Sequence, residues 1–199
     1  MTRRLTILYE DKAEGPVKNY GPHSLLIQAV CDSLGKNAWE LKDKITPIPL
    51  NGSGNVRKEC KRESGRFLGG DGLVFAVYDS DRIGQLVGLG QAACKQQLKA
   101  ALRGECAWRE KLEVVFLERN IETLLEAVCE CDPSIPEGLR KEATTGKPRP
   151  LERDAILNRA ASANPAAREV RDSVRRRVPS FDYLVRKVAA AWMPPAPAP

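Results

Sequence analysis

Residues 72–78 read GLVFAVY, seven positions without a polar side chain, and the run stops abruptly at Asp79-Ser80-Asp81. A strand with one wet face alternates apolar and polar residues. An uninterrupted apolar run predicts a strand covered on both faces, the central strand of a parallel sheet. Such a strand needs neighbours on both sides and helices above and below, and the first 131 residues supply them. Leu5–Tyr9 (LTILY) and Leu112–Leu117 (LEVVFL) are further short runs of β-formers, and both end in charged residues. Residues 44–50 (KITPIPL) predict an edge strand, because two prolines remove ladder donors. Between the strands lie helical stretches. Ser24 is placed to cap a helix that Gly35 closes, and residues 56–67 and 88–103 are polar helix candidates. Ile121, Leu124, Leu125 and Val128 fall at helical spacing. Strands alternating with helices predict an α/β fold, a mostly parallel sheet flanked by helices and joined by right-handed crossovers.

Beyond residue 131 the pattern changes. CDPSIPEG and TTGKPRP are linker-like, and helices are expected over residues 151–163, 165–178 and 181–192, before a proline-rich end, MPPAPAP. The predicted organisation is an α/β domain over 1–131, a basic C-terminal helical extension over 132–192, and a disordered tail over 193–199. The charge follows this division. The chain carries a net +6, yet residues 140–199 alone hold 13 Lys/Arg against 6 Asp/Glu. Localised positive charge favours a polyanion such as nucleic acid, and Arg175, Arg176 and Arg177 are its densest point. The same residues are equally compatible with a solvated helical face.

Other classes are set aside. No run approaches the roughly 18–20 apolar residues of a membrane-spanning helix, and the N-terminus lacks a signal-like apolar stretch, so a cytoplasmic protein is expected. Six cysteines show no CxxC spacing and predict reduced thiols. The single histidine, His23, would have to serve any Ser-His-Asp, Cys-His or histidine-zinc site, so catalysis is expected to rest on carboxylates. Gly52 and Gly54 of NGSGN lack the Gly-Lys-Ser/Thr end of a phosphate-binding loop and read as a plain loop.

Carboxylates cluster where a parallel sheet binds ligands. Glu10, then Asp79 with Asp81, then Glu118 and Glu122 all follow predicted strands, and carboxyl ends of parallel strands converge on one crevice. Acids gathered there repel one another unless a cation compensates, and hard oxygen donors suit Mg²⁺ or Mn²⁺. A structural role is open to each: Asp79 and Asp81 as helix caps, Glu118 and Glu122 as acids favoured by a helix N-terminus.

An acid closing the first strand, in ILYEDKAEG, followed by an apolar strand ending in Asp-x-Asp, in VFAVYDSDRIG, resembles the Toprim domain of topoisomerases, primases and overcoming-lysogenization-defect nucleases. LERNIETLLEA is similar to the R-x-I-E-x-W-L-L segment of a small Toprim-like family of unknown function, often found with ATPase partners. Two positions depart from the pattern. Asp11 stands where a glycine usually follows the first acid, and Leu124 where an aromatic is usual. The resemblance implies a Toprim-like Rossmannoid fold, with Glu10 as the conserved acid, Asp79 and Asp81 as the metal-binding pair, and Glu122 as an accessory acid. It further implies Mg²⁺- or Mn²⁺-dependent nuclease chemistry in phage defence or DNA processing. Lys12 and Arg82 flank the acids as candidate phosphate contacts. Other phosphate folds fit less well. A haloacid-dehalogenase-type site places its Asp-x-Asp on the first strand, and a response-regulator receiver needs a strand-end lysine that nothing after Leu117 offers. The alternative is a non-catalytic or conditionally active subunit, docked through its C-terminal helices to a separately encoded ATPase, since this chain has no Walker-A run.

Overall fold

Four strands form one sheet in the order β2-β1-β3-β4, every neighbouring pair parallel: β1 (Leu5–Tyr9), β2 (Ile45–Pro49), β3 (Leu73–Asp79) and β4 (Leu112–Leu117). The structure, a computed structural model, describes residues 4–13, 20–62, 72–79, 87–89, 93–117, 121–145 and 149–192. The apolar run of β3 lies between β1 and β4, and the proline-bearing β2 lies at an edge, as their compositions predict. Each parallel step needs a crossover. α1 (Gly21–Leu34) with α2 (Ala38–Lys42) joins β1 to β2, α3 (Ser53–Cys60) precedes β3, and α4 (Lys95–Gly104) precedes β4.

Alternation along the strands sends side chains into two cores. Leu5, Ile7, Phe75, Val77 and Val115 face α1 and α5 (Ile121–Cys131). Leu8, Val74, Ala76, Val114 and Phe116 face α3 and α4 through Val56, Cys60, Leu98 and Leu102. The C-terminal helices follow as α6 (Glu137–Thr145), α7 (Pro150–Ala160), α8 (Pro165–Arg177) and α9 (Pro179–Trp192). They belong to the first of these cores. Ile156, Leu157, Val174, Phe181 and Val185 are buried together with Leu5 and Ile7. α9 reaches from β4, where Tyr183 and Lys187 meet Glu113, to Lys44 ahead of β2, whose ammonium lies 5.3 Å from the Trp192 ring.

Several local expectations need correction. Ser24 does not cap α1. The helix starts one turn earlier at Gly21, with Pro22 preset for a first-turn position, and the Ser24 hydroxyl bonds back to the Tyr20 carbonyl at 3.3 Å. Gly35 closes α1 as expected, in the left-handed conformation at φ 62°. Of the helix expected over 88–103, residues 90–92 lie outside the described residues; the helix described there starts at Lys95, where Cys94 and Gln97 form its capping box. α3 starts at Ser53, three residues before the expected 56, and ends at Cys60; residues 63–67 of that expectation lie outside the described residues. α6 takes in the end of the first linker-like stretch and the start of the second, so neither is irregular throughout.

Candidate functional site

β1 connects outward to β2 on one side and β3 outward to β4 on the other, so the strand order reverses between β1 and β3. That is the point where open α/β sheets bind ligands, beyond the carboxyl ends of the strands. Glu10 directly follows β1, and Asp79 ends β3. The two meet: Glu10 Oε2 accepts a hydrogen bond from the Asp79 backbone amide at 2.9 Å. Both residues are half-buried. A carboxylate has two oxygens with about four acceptor sites, so this contact orients Glu10 without exhausting it.

The loop before α3 clasps the same segment from the other side. The Leu50 amide donates to the Tyr9 carbonyl, Gly52 to Glu10 and Asn51 to Asp11. Asn51 at φ 56° and Gly52 at φ 116° make the reversal that aims these amides. NGSGN is a loop, as expected, and it fixes the backbone that carries Glu10.

Asp11 occupies the position where the resemblance expects glycine, and it has a partner far away in sequence. Arg153 of α7 makes an ion pair with Asp11, bonds the Lys12 carbonyl at 3.0 Å and pairs with Asp154 at 3.1 Å. Its guanidinium also lies 5.9 Å from the Tyr20 ring. Arg153 and Asp154 are both buried. Burial pushes the Asp11 carboxyl up from its ordinary range. Arg153 and the Lys12 amide pull it down, and Glu122 and Asp154 push it up further. Glu122 therefore bears electrostatically on the same cluster from the first turn of α5, where it is exposed. Lys12 is exposed two residues after Glu10.

Glu10, Asp79, Lys12 and Glu122 thus gather at one end of the sheet. Asp81, Arg82 and Glu118 lie outside the described residues. Arg175 and Arg177 sit elsewhere. α1 and α5 start at the carboxyl edge of the sheet and run back, and their far ends carry Ser33 and Glu130. Arg175 bonds Ser33 at 2.9 Å and pairs with Asp182 at 2.8 Å, and Arg177 pairs with Glu130 at 2.7 Å. The basic triplet is separated from Glu10 by about the length of α1, roughly 20 Å. Arg176 bonds Ser173 at 3.0 Å.

Among the described residues no three histidine, cysteine, aspartate or glutamate side chains form a metal-ligand group. Glu10 and Asp79 each carry carboxylate oxygens, the hard type that Mg²⁺ or Mn²⁺ takes, but the contact between the two residues is from the Asp79 backbone amide to the Glu10 carboxylate. All six cysteines are free thiols, and burial pushes Cys31 up to about 11 and Cys60 up to about 12. His23 is buried. Its Nδ1 faces the Tyr9 hydroxyl at 3.1 Å, its Nε2 faces the Ile45 carbonyl at 3.2 Å, and burial lowers its pKa to about 4.

Arg153 escaped the sequence reading. The available signal was the extra acid at position 11, which needs a cation, but nothing in the local sequence selects one 142 residues away. No family model, curated protein or solved structure matches the chain. No helix among the described residues is long and apolar enough to cross a membrane.

Proposed function

We infer that this chain carries out metal-dependent phosphodiester chemistry on nucleic acid, as a nuclease of Toprim type. The observation that carries the reading is the meeting of Glu10 with Asp79 at the strand-order reversal, an arrangement expected from an acid closing each of two adjacent parallel strands. Glu10, Asp79 and Asp81 would hold Mg²⁺ or Mn²⁺, which when bound polarises a phosphate and lowers the pKa of water.

The chain's own residues supply the rest. The Asp79 amide fixes one oxygen of Glu10, whose further acceptor sites would orient or deprotonate a water. Asn51 and Gly52 hold its backbone. Arg153 pairs with Asp11 and holds that extra acid beside the carboxylate of Glu10. Lys12, exposed beside them, offers a cation to a phosphate oxygen.

The test is cleavage of labelled DNA and RNA, single- and double-stranded, with Mg²⁺, Mn²⁺ or EDTA. The 199 residues contain no Walker-A run, so the assay is run with and without candidate ATPases. Divalent-dependent cleavage should vanish in Asp79→Ala, while thermal stability without metal is kept or raised, since one charge leaves a repulsive cluster. Cleavage that survives Asp79→Ala, or a wild-type chain inert under every condition, overturns the reading.

A further inference from the structure

Beside the edge strand β2, helices α1, α2 and α7 enclose with that strand a cavity of about 490 Å³, within the range of small-molecule sites. His23, Ile27 and Gln28 of α1 and Ile45 of β2 form its buried lining, and the exposed Lys42, Asp43 and Thr46 form its rim. Gln28 is the residue out of place. It is 9% exposed, and among the described residues no group bonds its side-chain amide. Buried amides are ordinarily paired, because an unmet donor or acceptor keeps the full cost of its lost hydration. The surface that Gln28 retains is on the cavity it lines.

The lining restricts what could pair with it. An amide offers one acceptor oxygen and two N–H donors, so two coplanar bonds to it need a planar edge with donor and acceptor side by side. The neighbouring polar groups are engaged. His23 uses one nitrogen on the Tyr9 hydroxyl and the other on the Ile45 carbonyl, and Ser24 donates to the Tyr20 carbonyl. With its pKa lowered to about 4 by burial, the His23 ring is uncharged at neutral pH. Ile27, Ala38, Pro47 and Ala161 supply apolar walls. A charged group seated among these residues would lose water and meet no counter-ion in the buried lining. The inner part of the occupant is therefore uncharged, planar and apolar on its faces. Nucleobases have this form, and glutamine pairs with adenine through just such an edge.

We propose that this cavity binds a nucleoside, its base paired edge-on with the Gln28 amide between the apolar walls and its sugar at the rim of Lys42, Asp43 and Thr46. Neither Glu10 nor Asp79 lines the cavity, so the proposal does not depend on the nuclease reading.

Calorimetric titration of the full chain in EDTA with adenosine, guanosine, cytidine and uridine tests it, with L-glutamine as an amide that lacks a ring. At least one nucleoside should bind with a submillimolar Kd, and glutamine at least tenfold more weakly. Gln28→Leu exchanges the unmet amide for an apolar group. It should keep or raise the melting temperature and bind that nucleoside at least tenfold more weakly, because the base edge then loses its partner. Heteronuclear NMR of wild type decides the matter even if the variant does not fold: the Gln28 side-chain amide signals, assigned by triple resonance, should shift as the nucleoside saturates. A chain that binds none of the four overturns the proposal. So do binding that leaves the Gln28 amide signals in place and glutamine binding as tight as that of any nucleoside. Cleavage is not read in these titrations, so its failure would sink the nuclease reading and leave the nucleoside site standing.

Discussion

The pH dependence of stability follows from one buried ring. His23 is the only histidine in the chain, is 7% exposed, and uses both of its nitrogens. With the Ile45 carbonyl as acceptor, Nε2 carries the proton, so Nδ1 is the acceptor for the Tyr9 hydroxyl. A second proton on Nδ1 would abolish that acceptor and strand the hydroxyl of Tyr9, itself only 2% exposed. Burial is the main cause of the lowered pKa, and Lys42 adds repulsion. The Ile45 carbonyl opposes both. A group lowered from 6.5 to about 4 binds its proton in the unfolded chain first, so stability is lost as pH falls through that interval. At 1.36 kcal/mol per unit the loss amounts to about 3 kcal/mol. Asp11, whose pKa is raised, works in the opposite direction at acid pH. Urea unfolding of wild type and His23→Gln at pH 7, 6, 5 and 4.5 isolates the histidine, because other groups cancel in the difference. The single imidazole Cε1–H resonance reports its titration directly. A resonance titrating near 6.5, or parallel pH curves for the two proteins, would show that the ring is hydrated or charged in the fold and refute the argument.

Two packing features give further expectations. Arg171 is 1% exposed and bonds Asp32, the Ala160 carbonyl and the Ser162 carbonyl, each at 2.6 Å. Arg171→Leu should cost about 3–5 kcal/mol, because Asp32 loses its buried partner, and lower Tm by about 10 °C; the double variant with Asp32→Leu should recover part of the loss. A Cβ on Gly21 would sit 2.8 Å from Asp154 Cα and 2.9 Å from its carbonyl oxygen, atoms of the α7 backbone. Gly21→Ala should therefore force α1 and α7 apart and destabilise by about 1–3 kcal/mol in urea unfolding.

What the sequence discloses and what it hides divide along a physical line. β3 was legible because an apolar run leaves a strand no choice but burial on both faces, and β2 because Pro47 and Pro49 cannot donate into a central ladder. The meeting of Glu10 with Asp79 followed from strand adjacency alone. Pairing of charges did not. Arg175 and Arg177 counted as free cations in the composition, whereas Asp182 and Glu130 engage them. Arg153, an unremarked residue in a polar helix, proved to be the buried counter-charge of Asp11. Periodicity reports which face of an element is apolar. It carries no information on which distant ion each charge will meet.

The apolar face of β1 is finished by helices made last. Leu5 and Ile7 are buried together with Phe181, Val185 and Val188 of α9. At roughly 5–20 residues per second, synthesis from β1 to the end of α9 takes on the order of 10–40 s. Through that interval β2, β3, α1 and the helix over Ile121–Cys131 come into place around β1, while the share of its cover that α9 supplies is still missing. A chain stopped before α9 would hold all four strands yet leave part of the face of Leu5 and Ile7 uncovered, an apolar surface for chaperones or neighbouring chains.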